Sequence, residues 1–238
     1  KDGVATTSLL GGAIGVRPGT LKLKDLNNDG VVDLDDRTVI GDTNPTCSGG
    51  FGLNATYKDF DFTANFTYSV GNDIYNANKI ATTQQYRSGT YPNMLKIMSQ
   101  SNSYSYLNQE TGLLLTSLEE LAAANEGANA KEYWSPYSLG NATIIPTDWA
   151  LEDASYLRLQ SVTLGYTLPT KLTKQVGIQR CRFYVTASNL FCITGYSGYD
   201  PEVSSYSRNS SYSGLTPGID YSSYPKSRAF TFGLNVTL

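Results

Sequence analysis

Phe60-Asp61-Phe62-Thr63-Ala64-Asn65-Phe66-Thr67-Tyr68-Ser69-Val70 alternates without a break, aromatic or aliphatic at one phase and Asp, Thr, Asn or Ser at the other. Successive side chains of an extended strand point to opposite faces, so this stretch predicts a strand with one apolar and one polar face. The residues before it repeat the pattern, with Phe51, Leu53, Ala55 and Tyr57 set against Gly52, Asn54 and Thr56. Only Lys58 and Asp59 separate the two runs, which predicts a tight hairpin.

Two later segments behave alike. Cys181, Phe183, Val185 and Ala187 alternate with Arg182, Tyr184, Thr186 and Ser188, and the last run sets Phe230, Phe232, Leu234, Val236 and Leu238 against Thr231, Gly233, Asn235 and Thr237. A fifth strand, Leu157 to Leu168, is less regular. Val162, Leu164, Tyr166 and Leu168 share a phase while Leu157 and Leu159 fall in the other, which predicts a bulge or a membrane exit near Gln160.

The connections alternate between short (58–59 and 169–179) and long (71–155 and 193–227). Outer-membrane barrels combine short periplasmic turns and long extracellular loops with strands of about 9–11 residues. The expected fold is therefore an all-β, transmembrane antiparallel β-barrel with long extracellular loops. Closure around a filled interior needs about eight strands, so five form only the C-terminal strands of a larger wall, with Leu238 reading as the chain's terminus. In domain terms, residues 1–48 read as an extracellular loop and residues 49–238 as five barrel strands with their loops. Phe62, Phe66, Phe183, Phe232 and Leu234 are expected to face lipid, and Thr63, Asn65, Thr186, Thr231 and Asn235 a polar lumen. Tyr57, Phe60 and Tyr166, beside short turns, fit a periplasmic aromatic girdle. Within the first long loop, Ser117-Leu118-Glu119-Glu120 reads as a capping box opening a short helix, and Ile80 to Gln100 also reads as helical.

A soluble β-sandwich also alternates, but its outward set usually carries charge. Here the polar sets are Thr, Ser, Asn and Gly, and charged residues make up only 16% of the chain. A formal net charge of −3, with basic pairs only at Lys22/Lys24 and Arg180/Arg182, offers no broad surface for phosphates, which argues against nucleic acid. There is no histidine, so His-based general bases, Ser-His or Cys-His pairs and His-ligated zinc are excluded. No paired acids and nucleophile sit at a suggestive spacing, and the chain is not expected to be an enzyme.

Cys47, Cys181 and Cys192 lack CxxC spacing, and along one strand the last two would lie roughly 36 Å apart, too far to bridge. Free, structural thiols are expected. No run of about 18 apolar residues predicts a transmembrane helix, and no signal peptide opens the chain, so Lys1 reads as internal to a precursor or as a mature start. Five Asn-X-Ser/Thr sequons occur, at Asn54, Asn65, Asn141, Asn209 and Asn235. Those at Asn54, Asn65 and Asn235 fall inside strands and read as chance. Trp134, Trp149 and the tyrosines between Tyr196 and Tyr224 suit either stacking on sugar rings or packing of loops against each other.

One segment carries recognisable ligand spacing. In Asp25-Leu26-Asn27-Asn28-Asp29-Gly30-Val31-Val32-Asp33-Leu34-Asp35-Asp36, oxygen side chains fall at loop positions 1, 3, 5, 9 and 12, with glycine at position 6. Calcium takes about six to eight oxygens, and this spacing directs Asp25, Asn27, Asp29, the Val31 carbonyl, Asp33 and Asp36 toward one point. Asp at position 12 is the dockerin-like variant, whose shorter side chain weakens bidentate closure. An acidic turn built on Asn-Asp-Gly is the simpler alternative. A bound Ca2+ here would be a structural staple.

Further residues carry a resemblance. Pro18-Gly19-Thr20 leads into Asp25 to Asp36, followed by Ile40-Gly41, Asn44-Pro45, Tyr57 to Asp61 and Gly71-Asn72-Asp73-Ile74-Tyr75-Asn76. Asp153 to Leu159 with Leu164-Gly165-Tyr166, Asn189-Leu190-Phe191 through Tyr196 and Gly198, Asp200-Pro201-Glu202, and Tyr224-Pro225 with Arg228 continue the series. In this order the chain, from about residue 15 onward, resembles the late barrel region of SusC/RagA-type TonB-dependent transporters. The resemblance implies a plugged barrel of about 22 strands in the outer membrane of a Gram-negative, Bacteroidetes-type bacterium. It also implies a SusD-like surface lipoprotein as lid, TonB as energy source, and import of glycans or peptides. The chain departs from the family in lacking the plug and the TonB-contacting segment, and in ending on Leu238 where an aromatic is usual. A secreted soluble β-sandwich carbohydrate-binding module with a dockerin-like calcium loop is the alternative from another functional class.

Overall fold

The computed structural model describes residues 4–5, 18–21, 23–83, 93–136, 147–202, 218–221 and 224–238. The chain divides into two compact units, Lys1–Ile40 with Ala77–Ala150, and Gly41–Asn76 with Leu151–Leu238.

In the first unit β1 (Val4–Ala5) pairs in parallel with β2 (Val31–Val32). Helix α1 (Ala77–Ala81) is short. Helix α2 (Leu118–Asn125) begins at the expected capping box: the Ser117 side chain accepts from the Glu120 N–H, and the Glu120 carboxylate accepts from the Ser117 N–H. The helical expectation for Ile80 to Gln100 is corrected. Helix α1 stops at Ala81, a single 3-10 turn occupies Lys96–Met98, and the stretch 84–92 lies outside the described residues. Beta-branched Thr82 and Thr83 turn their hydroxyls back onto the carbonyls of Asn78 and Ile80, a local bond that competes with continuing the helix.

The second unit carries the wall. Strands β3 (Cys47–Tyr57), β4 (Phe60–Val70), β7 (Tyr156–Thr167), β8 (Arg180–Thr194) and β10 (Ala229–Thr237) form one antiparallel sheet in the order β10-β8-β7-β4-β3. The β3–β4 turn is Lys58-Asp59, with Lys58 at φ +55°. Helix α3 (Thr170–Thr173) and a 3-10 turn at Lys174–Val176 fill the β7–β8 connection. A second, smaller sheet sets β5 (Asp73–Asn76) between β6 (Leu151–Asp153) and β9 (Ile219–Asp220). Ile74, Ala154 and Tyr196 make its core, and the Tyr196 hydroxyl donates to buried Asp220 at 2.6 Å.

Register sorts the wall's side chains into two faces. Phe51, Phe66 and Leu159 align across β3, β4 and β7, as do Ala55, Phe62, Leu164, Val185 and Phe232 across all five strands. The expected irregularity is present at Gln160, which is skipped between Leu159 and Ser161 in the pairings with both neighbours. On β8 the same step skips Asn189 and Leu190, and Asn189 turns to φ +54°. An extra residue reverses the phase of everything beyond it. The bulge therefore returns Leu157 and Leu159 to the side of Phe66 and keeps the apolar face continuous.

That face is uncovered: Phe62, Phe183 and Phe232 are 38%, 49% and 77% exposed. The closed-sandwich expectation fails on this point, because a sandwich would bury these rings between two sheets. Phe51 stacks on Phe66 with centroids 4.8 Å apart, and Phe60 meets Tyr166 at 4.6 Å beside the hairpin turn, next to Tyr57. Such cross-strand pairs each contribute roughly 0.2–1 kcal/mol.

Candidate functional site

The opposite face of the wall is polar and knit together. Thr163 and Thr186 share a hydrogen bond of 2.8 Å, Asn65 donates to Ser161 at 3.1 Å, and Thr63 donates to Asn54 at 2.9 Å. Near the short turns, the Arg182 guanidinium binds Asp61 in two-pronged fashion, Nε donating to Oδ1 at 2.8 Å and Nη2 bonding Oδ2. Asp61 is on β4 and Arg182 on β8, with β7 between them. The pair spans β7 because its residue at that level is Gly165, where a Cβ would collide with both partners. One strand further on, the Tyr184 ring covers Gly233 in the same way.

At the other end of β7, Arg158 is buried in an ionic cluster. Its Nη2 lies 2.5 Å from Asp200 Oδ1 and its Nε 2.6 Å from Glu202 Oε2, while Lys226 Nζ lies 2.6 Å from the same Glu202 oxygen. The Lys226 N–H donates to Asp200 Oδ2 at 3.2 Å. The cluster ties both ends of the β8–β10 connection to the polar side of the wall. Burial works against the Glu202 charge, but the Lys226 ammonium and Tyr156 hydroxyl outweigh it and hold the carboxyl below its ordinary range.

None of Asp61, Arg182, Arg158 and Lys226 was singled out by spacing. For Asp61, Arg158 and Arg182 the available signal was a full charge inside a strand run, whereas Lys226 lies in the connection ahead of the last strand and offered none.

The acidic loop folds on its own amides. Asp25 accepts from the Asn28 and Gly30 N–H groups at 2.7 and 2.9 Å. Asn27 accepts from the Asp29 N–H at 2.8 Å and donates to the Asp29 carboxylate at 3.0 Å. Asp33 caps a 3-10 turn at Leu34–Asp36. Asp36 accepts from the Leu26 and Asp33 N–H groups at 2.7 and 2.9 Å, and these bonds, that from Asp33 foremost, hold its carboxyl below the usual carboxylate range. Val31 is placed in β2 against Val4. Gly30 takes φ +87°, as a sharp turn at loop position 6 requires. Among the described residues no three acidic or cysteine side chains converge as a metal site. The donor set is oxygen throughout, which suits a hard cation, but Asp25, Asp33 and Asp36 are turned onto loop amides.

Trp134 and Trp149 meet edge to face at 4.8 Å, with Lys79 Nζ 4.4 Å from the Trp149 ring centroid. The three cysteines are free. Asn141 and Asn209 lie outside the described residues.

No family model matches the chain. It is 31% identical over 226 residues to TonB-dependent receptor P3 of Formosa agariphila, an alignment covering 92% of this chain and 19% of that protein. Against TonB-dependent receptor SusC of Bacteroides thetaiotaomicron, identity is 29% over 221 residues, covering 89% of this chain and 17% of the relative. The structure of the RagAB peptide importer in the closed-closed state superposes with a TM-score of 0.61 at 24% identity, covering 92% of this chain and 20% of that chain. Its open-open state superposes at 0.58 and 23%, covering 88% and 19%. The chain thus spans about a fifth of the length of the curated relatives it matches. Sequence and fold together make this chain a relative of one stretch of the SusC/RagA-type TonB-dependent transporters, with its sheet a piece of a larger transmembrane β-barrel wall.

Proposed function

We propose that this chain forms wall strands and outer loops of an outer-membrane TonB-dependent importer that takes up glycans or peptides beneath a SusD-like surface lipoprotein, and that it catalyses no reaction. The observation that carries the reading is the two-faced sheet, whose apolar face stays continuous through the Gln160 bulge while the other side carries side-chain hydrogen bonds and the Arg182–Asp61 ion pair. Lipid cannot satisfy Thr, Asn or Arg side chains, whereas a wet or plugged lumen can. Relatives bearing the names TonB-dependent receptor and SusC, and a fold shared with a peptide importer, support the same role.

In this orientation the Lys58-Asp59 turn and the 169–179 connection lie at the periplasmic rim, and the 71–155 and 193–227 connections lie outside the cell. Single cysteines at Asn102 and Lys174, in a background with Cys47, Cys181 and Cys192 replaced by serine, test it in intact cells. An impermeant maleimide should label the Asn102 site and spare the Lys174 site. Equal labelling of the two would overturn the orientation.

The loop Asp25–Asp36 is, in the same proposal, a structural calcium site held by Asp25, Asn27, Asp29, Asp33, Asp36 and the Val31 carbonyl. Its spacing, its oxygen-only donors and the Gly30 turn support this. Calorimetric titration with Ca2+ should show saturable binding that disappears in the Asp25→Ala, Asp29→Ala double variant. Titration heats no larger than those of dilution would leave the loop an acidic turn.

A further inference from the structure

We infer that the β7–β8 connection is a membrane anchor in its own right, whose partner is anionic phospholipid of the periplasmic leaflet. The inference rests on the reading of the sheet as a membrane wall with this connection at the periplasmic rim, and adds the lipid that the rim selects. Helix α3 and the 3-10 turn after it make one helical run from Thr170 to Val176, with Lys174 joining them in helical conformation. Gly177 ends the run at φ +75°, which glycine takes without strain, and the Ile178 N–H returns to the Thr173 carbonyl at 3.0 Å. Within the run Leu172 and Val176, four apart, share one flank, while Lys171 and Lys174, three apart, share another. Thr173 turns inward and is buried, but Leu172 and Val176 are 58% and 71% exposed. The connection 169–179 holds no acidic residue, so the two lysines set its charge.

Its place on the wall selects the partner. The run follows directly on the Phe60–Tyr166 pair of the aromatic girdle, so it lies at the level of the headgroups. Cys181 shares the phase of Phe183 and Val185, yet it is buried where they are exposed, and α3 packs against β8 beside it. The anchor therefore continues the lipid-facing side at its foot. A helix laid there sets its aliphatic flank against acyl chains, while the lysine stems carry their ammonium groups out among the phosphates. A zwitterionic headgroup offers these cations no net charge, whereas an anionic one does, and one lysine near such a surface is worth roughly fivefold in occupancy. A folded protein partner would need about 20–30 residues a side, far more than two short flanks present. Lysines serving solubility alone would not require the exposed Leu172 and Val176 next to them.

The full chain, in the same cysteine-free background, is to carry a fluorescent dye either on Gln175→Cys, between the two flanks, or on Phe232→Cys, on the lipid face. It is reconstituted into mixed phosphatidylcholine and phosphatidylglycerol vesicles, with one lipid or the other brominated on its acyl chains as a quencher, and circular dichroism confirms that the strands have formed. Both dyes should be quenched. At Gln175→Cys phosphatidylglycerol should be favoured roughly fivefold, and at Phe232→Cys neither lipid should be. Lys171→Gln with Lys174→Gln should abolish the preference and keep the quenching, whereas Leu172→Ser with Val176→Ser should weaken quenching by both lipids. Equal quenching by the two lipids at Gln175→Cys, or a preference that survives loss of both lysines, would overturn the inference. Quenching at Phe232→Cys alone would also overturn it and leave the wall standing. Absence of quenching at Phe232→Cys would sink the wall reading, and the inference with it.

Discussion

Phe232→Arg is expected to destabilise the membrane-inserted protein by about 2–4 kcal/mol if the residue lies near the bilayer midplane, and Thr231→Arg by far less. The two residues are adjacent on β10, with identical backbone surroundings, and differ only in the face they occupy. Phe232 is 77% exposed on the face that aligns Ala55, Phe62, Leu164 and Val185, where an arginine must be desolvated or distort the lipid around it. Thr231 aligns with Thr186 on the hydrogen-bonded face, where a long cation can reach water. Denaturant unfolding of the two variants in lipid vesicles, followed by loss of compact electrophoretic migration, compares them directly. Equal losses would mean that the apolar face does not meet lipid.

The second large effect is expected at Arg158. Its side chain is 6% exposed and its partner Asp200 7%, so Arg158→Met leaves Asp200 a buried carboxylate, and Glu202 a half-buried one, without their guanidinium. Breaking one side of a buried ion pair costs about 3–5 kcal/mol, whereas removing both sides together is often nearly neutral. Arg158→Met should therefore lower the midpoint of thermal unfolding and open the β8–β10 connection to trypsin at Lys226 and Arg228. Adding Asp200→Asn and Glu202→Gln should restore most of the loss. A triple variant no better than the single one would show that Arg158 acts by packing and not by charge.

The pH dependence has a defined sign. The Glu202 carboxyl is held below its ordinary value, so its contribution is complete above about pH 4, where a free glutamate ionises, and is lost as acid titrates it below that point. Protease resistance of the connection should be level from neutral pH down to that region and fall beneath it.

The apolar and polar sets of β3, β4, β8 and β10, the Lys58-Asp59 turn and the Ser117 capping box were legible in the sequence because each rests on a local rule. Alternation needs only the pleat, and a cap needs only the next three residues. Even the Gln160 bulge showed as a break in phase. The helix expected over Ile80 to Gln100 failed where Thr82 and Thr83 turn their hydroxyls onto the carbonyls of Asn78 and Ile80, a competition decided only in the folded backbone.

The sequence by itself therefore determined that this chain makes two-faced strands of membrane-spanning length with oxygen-rich loops. The tertiary structure alone decided which charges meet. Arg182 finds Asp61 across 121 residues, and Arg158 finds Asp200 across 42. Those meetings depend on register between distant strands, on a bulge that shifts both β7 and β8, and on a glycine at position 165 that leaves room for a bridge over it. None of these is encoded in the spacing of the charged residues themselves, because register is settled only when the whole apolar face lines up at once.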